Sequence, residues 1–157
     1  MKINLLRGSG ELMSGYTNID PYGNDDNVVI GEIENLDYVA DDAQCVEIRA
    51  IDIIDYIEPS KIDKVLYHWM TKLRLGGKIT IGGTDLSLVC NAFLDGSIDA
   101  DIATSLLYGQ RLSSYQYKKN ITTLENLCNF FESAGYKILL KKYDFSTMNY
   151  LIKAERQ

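Results

Sequence analysis

The chain of 157 residues holds one histidine, three cysteines and two prolines. It is also short of positive charge: 16 Lys and Arg stand against 22 Asp and Glu, a formal net charge of −6. Each shortage excludes something. With His68 alone, a multi-histidine zinc or iron site has no ligand set, and no metal site is expected. A Ser-His-Asp or Cys-His nucleophile system would have to use that same residue, which falls inside a helical pattern. Cys45, Cys90 and Cys128 lie far apart and form no C-x-x-C pair. An odd number at such spacing reads as reduced thiols in a cytoplasmic protein, not as a disulfide framework. The acidic balance speaks against a broad nucleic-acid footprint, which needs a Lys/Arg surplus against the phosphates. No apolar run approaches the roughly 18–20 residues that span a bilayer, so no membrane partner is expected. Met1–Arg7 is too short and too soon charged for a secretory signal and reads as a first strand. A hydrophobic share of 46% with 24% charged residues is that of a packed globule. The length suits one domain over residues 1–157.

What is present alternates strand and helix. Lys2–Leu6 is a short apolar run ending in Arg7-Gly8-Ser9-Gly10. Thr17–Asp20 is a second, stopped by Pro21. Val28-Val29-Ile30 is β-branched and continuous, as a buried parallel strand should be. Cys45–Ile51 is a fourth strand, and Lys78–Ile81 a fifth, introduced by Gly76-Gly77. Ser60 with Asp63 opens a helix in the manner of a capping box. Ile62, Val65, Leu66, Trp69 and Leu73 then fall on one face, and Gly76 is a stop. His68 neighbours that stripe and reads as a partly exposed structural residue. Thr122 with Glu125 opens a second helix, on which Leu124, Leu127, Cys128 and Phe131 repeat until Gly135. The tail reads as strands Tyr136–Tyr143 and Met148–Ala154, whose short connection makes them an antiparallel hairpin. The order predicts an α/β sandwich with a mainly parallel sheet. Asp85–Lys119 is the least regular stretch.

Four features fall at the carboxyl ends of the first four strands, the edge where open α/β sheets bind ligands. Gly8-Ser9-Gly10 allows close backbone approach and positive φ. Asp20 is placed to accept hydrogen bonds from a ribose diol, each worth roughly 1.5–3 kcal/mol when charge-assisted. Glu32 follows the third strand, where an adenine amino group would lie, and Asp52 follows the fourth, on the reacting side. A plain turn at the glycines and an Asx-type turn at Asp20 are the bland readings of the same residues. A dinucleotide site needs G-x-G-x-x-G opening a helix. Here position 13 is Met13, and the acid arrives well before the usual spacing of about 20 residues.

At this point the chain resembles the compact class I S-adenosylmethionine-dependent methyltransferases. Gly15-Tyr16-Thr17-Asn18-Ile19-Asp20 is similar to their "Gly-Tyr/Trp-x-Asn-Ile/Val-Asp" motif. Leu73–Ile81 resembles their "L-k-P-G-G-x-l-x-I", and Ala134-Gly135-Tyr136 their "A-G-F". The resemblance implies a Rossmann-like three-layer α/β/α sandwich with a mostly parallel sheet and a C-terminal antiparallel hairpin. It implies S-adenosyl-L-methionine as cofactor, held by Arg7, Gly8, Ser9, Gly10, Asp20, Glu32, Ile33 and Ile51. Asp52 and Asp55 are the carboxylates it offers for catalysis, with Tyr56, Asp85 and Tyr117 lining the place of a small-molecule acceptor such as a sugar or other metabolite. For Asp85 a helix cap near Ser87 is the competing role. The chain departs from the family at Arg7, near the family's first glycine, and at Asp55-Tyr56, Thr84 and Tyr117, which replace Glu-His, Pro and His. Loss of both histidines supports a second expectation, a cofactor-binding or interaction module that keeps the fold without the chemistry.

Overall fold

A computed structural model describes residues 1–157. Seven strands form one sheet: β1 (Lys2–Leu5), β2 (Thr17–Ile19), β3 (Val28–Val29), β4 (Cys45–Ile51), β5 (Leu73–Thr84), β6 (Tyr136–Asp144) and β7 (Asn149–Arg156). Their order is β3-β2-β1-β4-β5-β7-β6. The first five pair in parallel, and β7 runs antiparallel between β5 and β6. Helix α1 (Ile62–Lys72) joins β4 to β5; α2 (Leu86–Leu94), α3 (Ala100–Tyr108) and α4 (Leu124–Ser133) lie between β5 and β6. The expected Rossmann-like architecture, with its mostly parallel sheet and C-terminal hairpin, is the one that forms.

Strand pairing lines side chains up in rows, and the period of two separates the faces. Ile3, Ile48, Ile79 and Ala154 form one row, and Leu5, Ala50, Ile81 and Ile152 the next. All eight are buried. Onto this face α1 turns Val65, Leu66 and Trp69, and α4 turns Leu124, Leu127, Cys128 and Phe131, which join the rows in one core. The interleaved rows, Lys2-Glu47-Lys78-Glu155 and Asn4-Arg49-Thr80-Lys153, belong to the opposite face. Of those, only Asn4 is buried. Glu47 gathers this face together, accepting from the Tyr16 hydroxyl at 2.8 Å and from Lys153 at 3.0 Å. No helix connects β1 to β2 or β2 to β3.

The long connection from β3 to β4 is tied down by α1 instead. Trp69 Nε1 donates to the Ile33 carbonyl at 2.8 Å, and His68 Nε2 accepts from the Leu36 amide at 2.8 Å. Lys72 donates to Asp37 at 2.6 Å and to Asp42 at 2.7 Å. His68 is therefore the half-buried structural residue that its helical position suggested. Its pKa is lowered, first by desolvation, with the neighbouring Asp37 and Asp42 opposing.

Three expectations change. Val28–Val29 is a two-residue edge strand, with Val29 and Ile30 exposed, because nothing lies beyond it in the sheet. Strand β5 begins at Leu73, directly after α1: Leu73 already pairs with Cys45, and Gly76-Gly77 falls in the bulge before Lys78 meets Glu47. The irregular stretch after β5 contains two helices, each capped by an aspartate that accepts from an amide of the first turn: Asp85 from Leu88 and Asp99 from Ile102. Helix α2 carries no charged residue, so no amphipathic pattern announced it. At the far edge, β6 exposes Leu139, Leu140 and Tyr143 beside Lys137, Lys141 and Lys142, and a bulge interrupts its pairing between Ile138 and Leu140.

Asp85 is fully buried and also accepts from the Leu124 amide at 2.8 Å, so one carboxylate starts both α2 and α4. Asp85→Ala leaves two buried amides unpaired and is expected to cost about 2–4 kcal/mol in urea unfolding. His68 gives a pH signature. Its folded pKa lies below the unfolded value, so its contribution is fully present above about pH 6.5 and fades as pH falls through the folded pKa. Unfolding midpoints measured from pH 8 to pH 5 should show this loss, and His68→Gln should remove that part of the slope.

Candidate functional site

The carboxyl ends of β1, β4 and β5 enclose a cavity of about 490 Å³. It sits where the strand order reverses, between β1 and β4, the topological switch point of an open α/β sheet. That volume is within the range of roughly 300–1,000 Å³ usual for small-molecule sites. One wall is the loop Leu6–Glu11. A second is the end of β4 with Arg49, Ile51 and Asp52. Tyr56 and Thr84 close the back, and Ser105, Gly109, Tyr115 and Lys118 come from the segment after α2.

The glycine loop is held from behind. Gly8 and Gly10 have φ of +74° and +123°, conformations open to glycine. The Gly8 amide donates to both oxygens of the buried Asp20, at 2.9 and 2.8 Å, and Tyr22 N donates to Asp20 Oδ1 at 2.9 Å. Asp20 thus shapes the loop and lies outside the cavity lining, so in this state the expected ribose acceptor is committed to its own backbone. Tyr115 covers the loop, and a Cβ on Gly8 would meet its ring at 2.6 Å. Tyr115 in turn stacks on Tyr22, with centroids 4.3 Å apart. Arg7 enters the same aromatic cluster, its guanidinium 5.1 Å from the Tyr22 ring and 4.9 Å from the Tyr56 ring.

Asp52 and Asp55 behave differently. Asp52 follows β4 with a φ of +56°, a left-handed conformation that costs an L residue about 1–2 kcal/mol and is stabilised here by its amide donating to Gly82 O at 2.9 Å. Its side chain faces the water of the cavity. The protein packed around that space raises its pKa by desolvation, while Lys118 and Arg49 pull it back. Asp55 is fully buried behind the wall. Lys118 pairs with it at 3.1 Å, and the amides of Lys119 and Asn120 donate to its carbonyl at 2.8 and 3.0 Å. Burial raises the Asp55 pKa as well, against the pull of Lys118. Its Oδ1 has no partner, nor has the buried hydroxyl of Tyr150, and both crowd Gly83.

The structure therefore brings Arg7, Gly8, Ser9, Gly10, Ile51, Asp52 and Tyr56 to one cavity. Other expected residues stand elsewhere. Ile33 is a core residue, and Glu32 is exposed, its carbonyl accepting from Tyr38. Both follow an edge strand too short to reach the cavity. Asp55 is an anchor behind the wall, paired through Oδ2 with Lys118, and Asp85 is a helix cap whose two oxygens accept from Leu88 and Leu124. Tyr117 is 49% exposed and outside the lining; Tyr115, two residues earlier, takes the place expected of it. Sequence reasoning also missed Arg49, Thr84, Tyr115 and Lys118. Arg49 carried a signal as a cation in a mostly apolar strand, Thr84 as a departure from the family motif, and Tyr115 as one of the tyrosines of the irregular stretch.

No family model and no curated protein matches the chain. Solved structures do. The chain is similar to the 1,6-didemethyltoxoflavin-N1-methyltransferase of Burkholderia thailandensis, solved with 1,6-didemethyltoxoflavin and S-adenosylhomocysteine. The identity is 14% over 99% of this chain and 71% of that one, with a TM-score of 0.64. It is similar to a SAM-dependent methyltransferase of Methanosarcina mazei, at 10% identity over 99% of this chain and 92% of that one, TM-score 0.62. A third likeness is to a complex between the Trm112 methyltransferase activator of Haloferax volcanii and a methyltransferase, at 10% identity over 98% of this chain and 81% of that one, TM-score 0.61. The fold is that of the compact class I SAM-dependent methyltransferases.

Asp20→Ala tests the loop anchor. Loss of three charge-assisted contacts from two amides should lower stability by about 1–3 kcal/mol in urea unfolding. Protease cleavage within residues 8–15 should become faster. Unchanged stability and cleavage would show that the loop holds its shape without Asp20.

Proposed function

We propose that the protein is an S-adenosylmethionine-dependent methyltransferase acting on a small-molecule acceptor. The observation that supports this reading most is the cavity at the switch point, with a side-chain-free glycine loop on one wall and a strained acid on the other. The residues fit the cofactor in kind. Gly8, Ser9 and Gly10 present backbone to the cavity, Ile51 offers an apolar surface, and Asp20 keeps the loop open at its base. When bound, the cofactor supplies an electrophilic methyl group on a sulfonium.

Transfer of that group is an in-line displacement, so most of the work is positioning and exclusion of water. Tyr56 and Tyr115 line the space with aromatic surface, and Tyr22 backs Tyr115 from behind. Asp52 is the base of the reading: it faces the cavity and has a raised pKa, so it takes a proton from an acceptor hydroxyl or amine more readily than an ordinary carboxylate. Asp55 and Lys118 hold the wall and take no proton in the reaction. A second reading, a module that binds without turnover, is favoured by Tyr115 seated on Gly8 and by the prior commitment of Asp20.

Calorimetry with S-adenosylhomocysteine followed by a turnover assay over an acceptor panel separates the readings. Binding with turnover is expected. Asp52→Asn should lower kcat by about 10²–10⁴-fold and leave the S-adenosylhomocysteine affinity within threefold. The rising limb of the parent protein's pH–rate profile should lie above the usual carboxylate value of about 4 and be absent from the variant's. Binding without turnover selects the module, and no binding removes both readings.

A further inference from the structure

The cavity of the proposed methyltransferase site contains two arginines that form no ion pair within the protein. Arg7 and Arg49 both line it. The chain forms eight ion pairs, and neither arginine takes part in one. The third cation of the lining, Lys118, is already paired with Asp55 and donates to Thr84 Oγ1 at 2.7 Å. The carboxylates of the lining, Glu11 and Asp52, are not within ion-pair distance of either arginine.

Arg7 is the more telling of the two. Its Nη1 is shielded from solvent and has no hydrogen-bond partner. A guanidinium N–H left this way costs stability unless a ligand completes it. The side chain is nevertheless fixed: the faces of Tyr22 and Tyr56 hold the guanidinium from two directions without cancelling its charge. Arg49 arrives from β4 on the polar face of the sheet, with its backbone set by pairing to Asn4 and Thr80. Arg7 is thus a pre-positioned donor, and Arg49 a second donor on the same cavity, of the planar, forked kind that suits carboxylate and phosphate oxygens. Their occurrence together in a chain of net charge −6 is not a consequence of a generally basic surface.

We infer that Arg7 and Arg49 form an anion subsite in this cavity, and that the acceptor is accordingly a small molecule bearing a carboxylate or phosphate. The inference rests on the methyltransferase reading for the word acceptor; the subsite itself does not. The methionyl end of the cofactor is the other source of a carboxylate. Its own ammonium already balances that carboxylate, so it leaves two free arginines under-used.

The test is calorimetric titration of the full chain with inorganic phosphate, in buffer matched for ionic strength with chloride. It is run on protein saturated with S-adenosylhomocysteine and on the free protein. Saturable phosphate binding is expected in both. Arg7→Gln with Arg49→Gln should weaken it at least tenfold, while Arg49→Lys, which keeps the charge, should restore part of the loss in the single-site background. Circular dichroism and urea midpoints confirm that the variants fold. A second arm compares S-adenosylhomocysteine with 5′-methylthioadenosine, which lacks the carboxylate. The ratio of the two affinities in the doubly substituted protein should stay within threefold of the parent's ratio. Selective loss of S-adenosylhomocysteine there would assign the arginines to the cofactor and overturn the inference, as would the failure of phosphate to bind the parent protein. If S-adenosylhomocysteine does not bind the parent at all, the methyltransferase reading falls, and phosphate binding to the free protein still decides the subsite.

Discussion

The pairing of Asp55 with Lys118 holds the two halves of the molecule's functional edge together. A fully buried carboxylate is costly in a medium of low dielectric, and it is kept only where a cation and amides meet it. Here the cation comes from a segment 63 positions further along the sequence, and two amides of that segment bond the Asp55 carbonyl. Through this one joint the stretch after α3 is fastened beside the end of β4. That placement puts Tyr115 over the glycine loop and gives the cavity its fourth wall. Removing either partner leaves the other buried with only Thr84 to meet it, a cost that falls on the wall.

The sheet itself is one-sided in its chemistry. Ile3, Leu5, Ile48, Ala50, Ile79, Ile81, Ile152 and Ala154 carry the core with α1 and α4, whereas the reverse rows are polar, with Glu47 paired to Lys2 and Lys153 and Lys78 paired to Glu155. Without helices between the first three strands, the amino-terminal part depends on side chains of α1. Trp69, His68 and Lys72 reach back to fix the β3–β4 connection. The consequence for the site is a stiff floor at β1 and β4 and a rim made of loops, which is the arrangement in which binding residues sit on a rigid support.

Much of this was legible beforehand because it follows from period and punctuation. Strand β4 and helices α1 and α4 announce themselves through apolar spacing, α4 with a closing glycine at Gly135, and the terminal hairpin through its short connection. The glycine loop and Asp52 were placed correctly because they end strands. What was not legible depends on which partner a polar group chooses. Asp20, Asp55 and Asp85 looked alike as acids after strands. One shapes a loop, one fastens a segment and one caps two helices, and that choice is made by amides distant in sequence. The start of helix α2 was legible only through its Asp85 cap, because the helix itself carries no charged residue. Tyr115 and Lys118 were hidden in a segment whose position is set by Asp55 and not by its own pattern. Glu32 and Ile33 were misplaced because the strand before them is two residues long and lies at the margin of the sheet.

Strand β6 ends the sheet on its other side with a long free backbone edge. An open edge invites another chain to add itself, and natural sheets blunt that invitation with lysines and irregular pairing. Lys137, Lys141, Lys142 and the offset between Ile138 and Leu140 supply both along the same nine residues. The apolar side chains beside them can then stay exposed without templating the stacking of copies, and the molecule keeps its longest unprotected border from becoming the seed of a fibril.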